Sequence, residues 1–384
     1  MTTIVVAGAL ANKTGSGGEA WVRISWATGL AGLGADVHLL ESIDTESCVD
    51  SSGAPCDIEQ SANLAFFRQV TESLGVTATL LASDGRTFGV PHTELRDLAA
   101  AADLLVNISG HLRSPDLLGR FRRKAYVDID PGFTQLWHAA GISDLGLADH
   151  DVHFTIGENV GSPECGLPCG DIQWIPTRQP VDLDDWPLVP PARTDRLTTV
   201  ASWRGAYGPV EHRGRTLGVK AHEFRKYLEL PGRVEQRLEL ALDIHPADDG
   251  DRRRLIDHGW QLVDPRRNAA SPEQFRSYVQ SSSGEFSVAQ EVYVATRSGW
   301  FSDRTVRYLA SGRPALVQDT GFSGHLPVGR GLVAFSSMEE AVLGAKSIES
   351  DYSEHACAAR EIAERYFDAN IVLPRFLEQA GVRA

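Results

Sequence analysis

The sequence predicts an α/β protein built from two doubly wound domains that face each other across a cleft. Strand-like and helix-like segments alternate along the chain, and a proline-rich stretch interrupts the alternation near the middle. The chain has 384 residues, more than one ordinary domain contains. We expect an N-terminal domain over 1–175, a linker over 176–196, a C-terminal domain over 197–367 and a final helix over 368–384.

Short apolar runs alternate with amphipathic runs in the first half. The predicted strands are "TIVVAG", "DVHLLES", "TATLLA", "DLLVNIS", "RKAYVDIDPG" and "DVHFTIGE". The predicted helices are "EAWVRISWATGLAGLG", "NLAFFRQVTESLG" and "PHTELRDLAAAA". Such alternation favours a parallel sheet with helices on both faces.

A linker follows in "WIPTRQPVDLDDWPLVPPART" (174–194), which contains five prolines and little periodicity. Proline-rich segments of this kind commonly connect domains. The linker therefore separates two units of similar length.

The alternation restarts in the second half. The predicted strands are "LTTVASW", "RLELALDI", "GEFSVAQ", "PALVQD" and "RGLVAFS". The predicted helices are "GVKAHEFRKYLELP", "SPEQFRSYVQSSS", "SDRTVRYLASG", "MEEAVLGAKSIES", "SEHACAAREIAERYF" and "ANIVLPRFLEQAG". Ser271 and Pro272 are residues typical of a helix start. Ligands of doubly wound sheets bind at the carboxyl ends of strands, which places the expected site in the cleft.

Composition narrows the possible partners. Lys plus Arg is 37 and Asp plus Glu is 51, which gives a net charge of −14. An acidic chain is a poor electrostatic match for nucleic acid or an anionic membrane, so we expect neither as a partner. No run reaches the ~18 apolar residues of a membrane span, and no signal peptide is recognisable. A cytoplasmic protein with reduced thiols is expected from five cysteines, an odd number.

A metal site is not predicted. Cys165 and Cys169 form a C-x3-C pair with His150 and His153 nearby, and this spacing is more typical of loop thiols than of a complete zinc site.

The stretch "GALANKTGSGGEAW" follows the first predicted strand and resembles a dinucleotide-binding fingerprint, with Glu41 ending the next strand. In that fingerprint the first glycine lies directly at the strand end. Here "ALANKT" separates Gly8 from Gly15, which argues against NAD. Two interpretations remain: a glycine loop in which Gly17 and Gly18 let a ligand approach the backbone, or a plain connection in which Glu41 is an exposed carboxylate.

The stretch "TRSGWFSDRTVRYLASGRPALVQDTGFSG" (296–324) carries the strongest functional signal. Ser302 is a typical N-cap, and Arg304 and Thr305 would lie beside the free amides of the first helical turn, an arrangement suited to a diphosphate. A buried strand then ends in an acid and a glycine turn suited to sugar hydroxyls, formed by Asp319, Thr320 and Gly321. The alternative is ordinary helix capping followed by a turn.

Helix, "ASGRP", buried strand and acid-glycine turn together resemble the donor half of GT-B glycosyltransferases of the group 1 or family 4 type. "GSGGEAWVRISWATGLAGLGADVHLLE" resembles the opening of the same enzymes, and "DIDPG", "HFTIGEN" and "GVKAHEF" resemble uncharacterised bacterial glycosyltransferase-like proteins. The resemblance implies two Rossmann-like domains, a nucleotide-sugar donor in the C-terminal domain and an acceptor in the N-terminal domain. It also implies a final helix that packs back toward the N-terminal domain, no metal and no permanently bound cofactor.

One position departs from that family. Many retaining members carry a glutamate where this chain has Arg307, and Glu285 lies too far upstream to replace it. Arg307 is instead a candidate for neutralising the leaving diphosphate. Lys220 is a further candidate for a phosphate contact, and Trp203 or Arg204 for the nucleotide pocket.

Candidates for a catalytic base follow first-half strands. His111 comes just after one strand, Asp130 comes just after the next with Asp128 in the strand itself, and Glu19 begins the first helix. The alternative for each is a loop or surface residue. The segment that follows Asp130 contains Phe133, Trp137 and His138. These side chains form either a wall of the acceptor site or part of the aromatic core.

These observations predict a metal-independent glycosyltransferase that moves a sugar from a nucleoside-diphosphate sugar to a small-molecule or natural-product acceptor. A nucleotide-sugar 2-epimerase of the same fold, an NAD(P)-dependent oxidoreductase and a non-catalytic binding protein are the alternatives. Arg304→Ala is expected to lose nucleotide binding and to leave the fold intact. The oligomeric state stays open, a homodimer included.

Overall fold

The structure, a computed structural model, describes residues 1–142, 144–190 and 195–382. Residues 191–194 of the predicted linker and the last two residues of the predicted final helix lie outside the described residues.

The first half forms one sheet at the centre of its layers. Its strands are β1 (Thr3–Ala7), β2 (Asp36–Ile43), β3 (Thr77–Ala82), β4 (Thr87–Phe88), β5 (Leu104–Ile108), β6 (Lys124–Asp128), β7 (Val152–Thr155) and β8 (Trp174–Pro176). The strand order is β4-β3-β2-β1-β5-β6-β7-β8, with every neighbouring pair parallel except β3 and β4. The order reverses at β1, so the carboxyl ends of β1 and β5 flank a crevice.

Helices connect these strands; the first three agree with the predicted helices, and the last two were not predicted. These helices are α1 (Gly17–Gly32), α2 (Ala62–Thr71), α3 (His92–Ala101), α4 (Pro115–Leu118) and α5 (Phe133–Ala140). Ser61 caps α2 by accepting a hydrogen bond from the Leu64 amide at 3.1 Å.

The second half forms a second parallel sheet and a small hairpin. Its strands are β9 (Arg196–Ser202), β10 (Val210–His212), β11 (Arg215–Leu217), β12 (Arg237–Asp243), β13 (Gln261–Val263), β14 (Gly284–Ser287), β15 (Ala315–Gln318) and β16 (Leu332–Phe335). Six of them lie in the order β13-β12-β9-β14-β15-β16, and β10 pairs with β11 as an antiparallel hairpin that the sequence pattern did not predict.

The six helices predicted for the second half are present, although "GVKAHEFRKYLELP" is helical only in part, and three observed helices were not predicted: Asp249–Asp257, Pro265–Asn268 and Glu291–Thr296. The helices of this half are α6 (Lys220–Phe224), α7 (Asp249–Asp257), α8 (Pro265–Asn268), α9 (Pro272–Ser281), α10 (Glu291–Thr296), α11 (Asp303–Ala310), α12 (Met338–Ser350), α13 (Tyr352–Tyr366) and α14 (Ala369–Ala380). Within "GVKAHEFRKYLELP" only α6 is α-helical, and two 3-10 turns follow it. Pro231 and Gly232 lie in the second turn, where neither favours a continuing α-helix.

The last helix packs on the first. The Trp26 ring on α1 meets the Phe376 ring on α14 edge-on at 4.8 Å, and Phe376 also lies 4.3 Å from Phe154 of β7. The same apolar core continues into the second half through Phe275 and Leu309. α14 therefore completes the core around the first sheet although it follows the second sheet in the chain.

The predicted linker is packed rather than free. Its first residues form β8, Trp186 is fully buried, and the Trp186 ring meets the Trp21 ring of α1 edge-on at 5.0 Å. Gln179 accepts a hydrogen bond from the Trp26 indole at 3.2 Å. These contacts fix the direction in which the chain crosses between the sheets.

Candidate active site in the cleft

A cavity of about 590 Å³ lies where the two sheets face each other. Its walls come from the carboxyl ends of strands in both sheets and from the beginnings of α1, α6 and α11. Both the N-terminal glycine loop and the start of α11 reach it. The cavity lies at the strand ends where the sequence predicts a site, and that site remains a prediction.

Arg304 is held in the cavity wall by a buried carboxylate. Its Nε donates to Glu285 Oε1 at 2.6 Å, and Nη2 donates to the Ser287 hydroxyl at 2.6 Å. The Glu285 side chain is fully buried, whereas that of Arg304 is 12 % exposed. Burial lowers the pKa of Arg304, whereas the charge of Glu285 raises it. The net effect is a pKa above the ordinary value. Glu285, excluded by its spacing from the familiar catalytic position, thus orients the guanidinium.

Lys220, the first residue of α6, lies beside Arg304 in the same wall. In the described part of the chain it has no ion pair or side-chain hydrogen bond. Burial and the neighbouring Arg304 charge lower the pKa of this ammonium group to about 7, and Glu285 only partly opposes them. Two adjacent cations, one of them without an ion pair among the described residues, form a local site for an anion in an acidic protein.

The start of α11 completes this wall. Ser302 and Asp303 line the cavity, and the Ser302 hydroxyl makes no cap hydrogen bond, contrary to its predicted role as a side-chain N-cap. Its carbonyl still accepts from the Val306 amide at 3.2 Å. The first amides of the helix therefore remain without a side-chain cap beside two cations, which favours bound negative charge.

Two predicted phosphate contacts on α11 face away from the cavity. Thr305 is fully buried. Arg307 is also fully buried, and its guanidinium donates to the Asp303 carbonyl at 2.7 Å and to the Ser25 hydroxyl on α1 at 3.2 Å. Arg307 therefore ties α11 to α1, and it is not available to a leaving diphosphate.

The predicted sugar-binding turn also lies outside the cavity. Asp319 accepts hydrogen bonds from the Gly321 amide at 2.9 Å and the Ser323 hydroxyl at 2.8 Å. Thr320 donates its hydroxyl to the Trp300 carbonyl. A Cβ on Gly321 would lie 2.5 Å from the Asn159 amide nitrogen. Asp319 and Thr320 therefore use their polar groups within the second half, and Gly321 packs against Asn159 of the first half.

The glycine loop serves packing as well as the cavity. The Gly17 amide donates to the Ala269 carbonyl at 2.9 Å, and a Cβ on Gly17 would lie 2.1 Å from the Ser271 carbonyl oxygen. Gly17 is therefore required for close approach of two backbones, not of a ligand. Gly18 does line the cavity, with its Cα facing the Phe275 ring.

Glu41 is buried, so the prediction of an exposed strand-end carboxylate is wrong. It accepts from the amides of Leu10, Ala11 and Asn12 at 2.7–2.9 Å. In a dinucleotide site the corresponding acid must remain free for a ribose hydroxyl. Because this carboxylate is already used by the loop's own amides, the geometry disfavours NAD at this position.

Asp130 is the acidic group at the first-half wall, just past β6. The Tyr293 hydroxyl donates to its Oδ1 at 3.0 Å, and the Tyr207 hydroxyl donates to its Oδ2 at 3.2 Å. Burial and the charges of Glu19 and Asp128 raise the pKa of Asp130 to about 6. Asp128 is buried and bound to three side chains, so of the two acids only Asp130 lines the cavity.

His111 and Glu19 line the same wall. Burial and the charges of Arg23 and Lys13 lower the pKa of His111 to about 3, so its imidazole is neutral at pH 7 and weakly basic. Glu19 forms an ion pair with Arg23 at 2.5 Å. Burial raises the pKa of Glu19, whereas the charges of Arg23 and Lys13 lower it. The lowering is larger, so the pKa of Glu19 lies below its ordinary value. Among the three predicted bases, Asp130 has the pKa best matched to neutral pH.

Comparison with known proteins identifies the architecture. No family model and no curated protein sequence matches the chain. Solved structures do match over 99 % of the chain. Their sequence identities are low, so the matches show a shared fold. An α-glucosyltransferase in complex with UDP is 13 % identical, with a TM-score of 0.60 and 100 % of its chain covered. HepE of Anabaena in complex with UDP-glucose is 10 % identical, with a TM-score of 0.60 and 100 % coverage.

Sucrose-phosphate synthase from Thermosynechococcus elongatus is 12 % identical, with a TM-score of 0.55 and 98 % of its chain covered. The chain has the GT-B fold. The fold prediction is confirmed, including the cleft between two Rossmann-like halves.

Several residues of this GT-B cleft were not singled out by the sequence. They are Lys13, Arg23, Ser202, Tyr207, Asp243, Arg266, Gln290 and Tyr293. A lysine inside the glycine loop was a readable signal for Lys13. Tyr207 follows β9 in the loop in which Trp203 and Arg204 were chosen; Trp203 is buried against Asp251 and Arg204 pairs with Asp248, so neither lines the cavity.

The predicted acceptor wall is part of the core. Phe133 is buried and packs against Trp137 at 5.4 Å and Tyr207 at 4.9 Å, and the cavity contacts only Tyr207 of these rings. His138 also lies outside the cavity. Cys165 and Cys169 pack in an apolar cluster, and the described residues contain no group of metal-binding side chains. No helix in the described ranges is long and apolar enough to cross a membrane.

Proposed function

We propose that this protein is a metal-independent glycosyltransferase that moves a sugar from a nucleoside-diphosphate sugar to a small-molecule acceptor. The observation that carries the proposal is the pairing of Lys220 with Arg304 at the start of α11, inside a GT-B cleft. Two cations and free helix amides suit a diphosphate better than any neutral ligand. The second half is then the donor half, and the first half binds the acceptor.

Uridine nucleotides are the first donors to test. The α-glucosyltransferase structure contains UDP and the HepE structure contains UDP-glucose, and both share this fold over nearly the whole chain. Lys220 and Arg304 are positioned to neutralise the charge that develops on the leaving diphosphate when the bond between the anomeric carbon and the phosphate oxygen breaks. Their charge replaces the one that a metal ion supplies in other transferases.

Asp130 is our candidate for accepting the proton of the acceptor hydroxyl as that oxygen bonds to the anomeric carbon. Its raised pKa of about 6 makes it a stronger base than an ordinary aspartate while leaving it mostly ionised at pH 7. Tyr207 and Tyr293 orient it, and both belong to the donor half. Closure of the cleft around substrate would therefore set the position of the base.

A thermal-shift panel tests the donor first. UDP, GDP, TDP, UDP-glucose, NAD and NADP are each compared on wild type and Lys220→Gln. A ligand at ~100 Kd adds about 2.7 kcal/mol of stability. We expect one nucleoside diphosphate to stabilise the wild type, a weaker shift in the variant and no shift with NAD. Stabilisation by NAD alone would refute the transferase and favour an oxidoreductase.

Product analysis tests the reaction. The enzyme is incubated with the donor that binds, with and without acceptors, in buffer containing EDTA. Release of nucleoside diphosphate that requires an acceptor supports transfer, whereas a C2-epimerised nucleotide sugar without an acceptor supports the epimerase. Because an α-glucosyltransferase of this fold has been solved with DNA, duplex DNA belongs in the acceptor panel. The net charge of −14 predicts no transfer to it.

Asp130→Asn tests the base. If Asp130 accepts the proton, kcat should fall by about 10²- to 10⁴-fold with the Kd for UDP unchanged. Tyr293→Phe removes a hydrogen bond that lowers the pKa of Asp130, so the rise of activity near pH 6 should move to higher pH. Full activity of Asp130→Asn would dismiss this role for Asp130 and leave the transferase proposal standing.

A further inference from the structure

One side-chain amide in the second-half wall of the cavity is buried without a partner. Gln290 follows β14, lines the cavity and is 7 % exposed. No hydrogen bond involves either atom of its amide group within the described ranges. Oε1 is fully covered, and a Cβ on Gly205 would lie 2.6 Å from it. The atom left to meet the cavity is therefore Nε2, a hydrogen-bond donor.

The neighbouring strand shows how a buried amide is ordinarily satisfied. Gln318 of β15 accepts from the Ala289 amide at 3.1 Å through Oε1 and donates to Glu223 at 2.8 Å through Nε2. It does not line the cavity. A buried amide without hydrogen bonds destabilises a fold, so it needs an explanation. Gln290 faces the cavity, where a ligand can supply the missing partner.

The contacts of Gln290 place it between the two reacting ends of the proposed site. Arg304 donates to the hydroxyl of Ser287, three residues before Gln290, at 2.6 Å. The Gln290 carbonyl accepts from the Tyr293 amide at 3.0 Å, and the Tyr293 hydroxyl donates to Asp130 at 3.0 Å. The transferred sugar is bonded to the diphosphate and reacts beside the base. It must therefore occupy the space between Arg304 and Asp130.

An aromatic surface lies in the same part of the wall. The rings of Tyr293 and Trp300 stack at 4.4 Å with an angle of 15° between their planes, and both residues line the cavity. Apolar surface with a few well-placed polar groups is typical of a site that fixes the orientation of a small ligand. A sugar presents both C–H faces and hydroxyl groups, so it matches this combination.

We propose that Gln290 donates a hydrogen bond to a hydroxyl oxygen of the transferred sugar and thereby selects which sugar the enzyme uses. This inference rests on the proposed function and adds a specificity-determining residue to it. A site built to hydrogen-bond one substrate hydroxyl discriminates against analogues that lack it, because the buried polar group then stays unpaired. Sugars that lack this hydroxyl or carry it in another orientation should bind less tightly.

Titration calorimetry with UDP and four UDP-sugars tests this. The sugars are glucose, galactose, xylose and N-acetylglucosamine, and each of the last three differs from glucose in the group at one carbon. Wild type should bind one of the four about 10-fold more tightly than at least one other. Gln290→Met keeps the length of the side chain and removes its hydrogen-bonding group. It should bind UDP like the wild type, weaken the preferred UDP-sugar about 10-fold and lose the preference.

Thermal stability separates recognition from a structural role. Gln290→Met breaks no hydrogen bond of the described residues, so its Tm should not fall. Gln236→Met is the matched control, since Gln236 is a buried glutamine before the amino end of β12, outside the cavity, and donates to the Ala345 carbonyl at 2.6 Å. It should lower the Tm and keep the sugar preference of the wild type.

Three results would overturn the inference while UDP still binds. They are equal binding of all four sugars by wild type, an unchanged preference in Gln290→Met, and a Gln290→Met variant that weakens UDP as much as the UDP-sugar. The last result would assign Gln290 to the nucleotide. If neither UDP nor its sugars bind the wild type, the proposed uridine donor fails first, and the inference fails with it.

Discussion

Lys220 makes nucleotide binding depend on pH in a way that a permanently charged arginine would not. Burial and the Arg304 charge lower the pKa of Lys220 to about 7 in the unliganded protein. A bound diphosphate stabilises the charged ammonium and returns its pKa toward the ordinary value of 10.5. Binding above pH 7 must therefore take up a proton, and the affinity must fall as the pH rises.

The size of the effect follows from the shift. A lysine with this pKa is half-protonated at pH 7 and about 1 % protonated at pH 9, so the Kd for UDP should rise about 50-fold between these values. The terminal phosphate of UDP has a pKa of about 6, so the charge of UDP itself changes little between pH 7 and pH 9. The sign is unambiguous, because only the protonated lysine attracts the anion.

Isothermal titration calorimetry at pH 7, 8 and 9 measures both Kd and proton uptake, the latter from buffers of different ionisation enthalpy. Lys220→Arg keeps the charge at every pH and should bind with nearly constant Kd. Lys220→Gln should bind weakly and without this pH dependence. A wild-type Kd that stays flat from pH 7 to pH 9 without proton uptake would refute the reasoning about Lys220.

Three further predictions concern buried groups. Arg304→Ala should lose UDP binding and also destabilise the fold by about 3–5 kcal/mol, because it strands the buried Glu285 carboxylate; this corrects the expectation that the fold stays intact. Glu41→Gln should lower stability by about 1–3 kcal/mol, since an amide nitrogen would face loop amides that now donate to a carboxylate. Phe376→Ala should cost about 3–5 kcal/mol by leaving a cavity between α14 and α1. Chemical denaturation measures all three.

Matched variants control these measurements. Combining Arg304→Met with Glu285→Gln should restore most of the stability without restoring UDP binding, and an Arg304→Ala variant as stable as wild type would contradict a structural ion pair. Unchanged stability of Glu41→Gln would show that the loop does not depend on that carboxylate. Ile371→Ala, an exposed position on the same helix as Phe376, should change stability by no more than about 0.5 kcal/mol.

Local features carried much of the site prediction. Strand ends could be located from apolar runs bounded by polar residues, and this placed Asp130 and His111 correctly on one cavity wall. Ser302 and Arg304 are predicted as donor-site residues because residue types indicate where a helix begins. The same reasoning chose Thr305 and Arg307, which the structure buries. Helix position is local information, but the depth at which each side chain is buried depends on what packs over it.

Distant contacts account for the remaining differences. The sequence predicts Arg307 as a phosphate contact, but in the structure its guanidinium donates to Ser25, 282 residues away. The sequence predicts a ligand beside Gly17, but the carbonyl of Ser271 occupies that place. No periodicity along the chain indicates which segment will approach a given glycine, because such approaches arise only when both halves fold together.

The sequence alone determined the class of the fold, because hydrophobic periodicity and turn residues act over a few residues and repeat in both halves. It also predicted a ligand site at the strand ends of the cleft, where the structure has a cavity. Only the tertiary structure decided which side chains face that cleft. Lys220 and Arg304 meet there because the first residues of α6 and α11 both line the cavity, and Lys13 lines it in a loop whose amides bind Glu41. Charge in a site depends on which groups share a wall, and that is a property of packing.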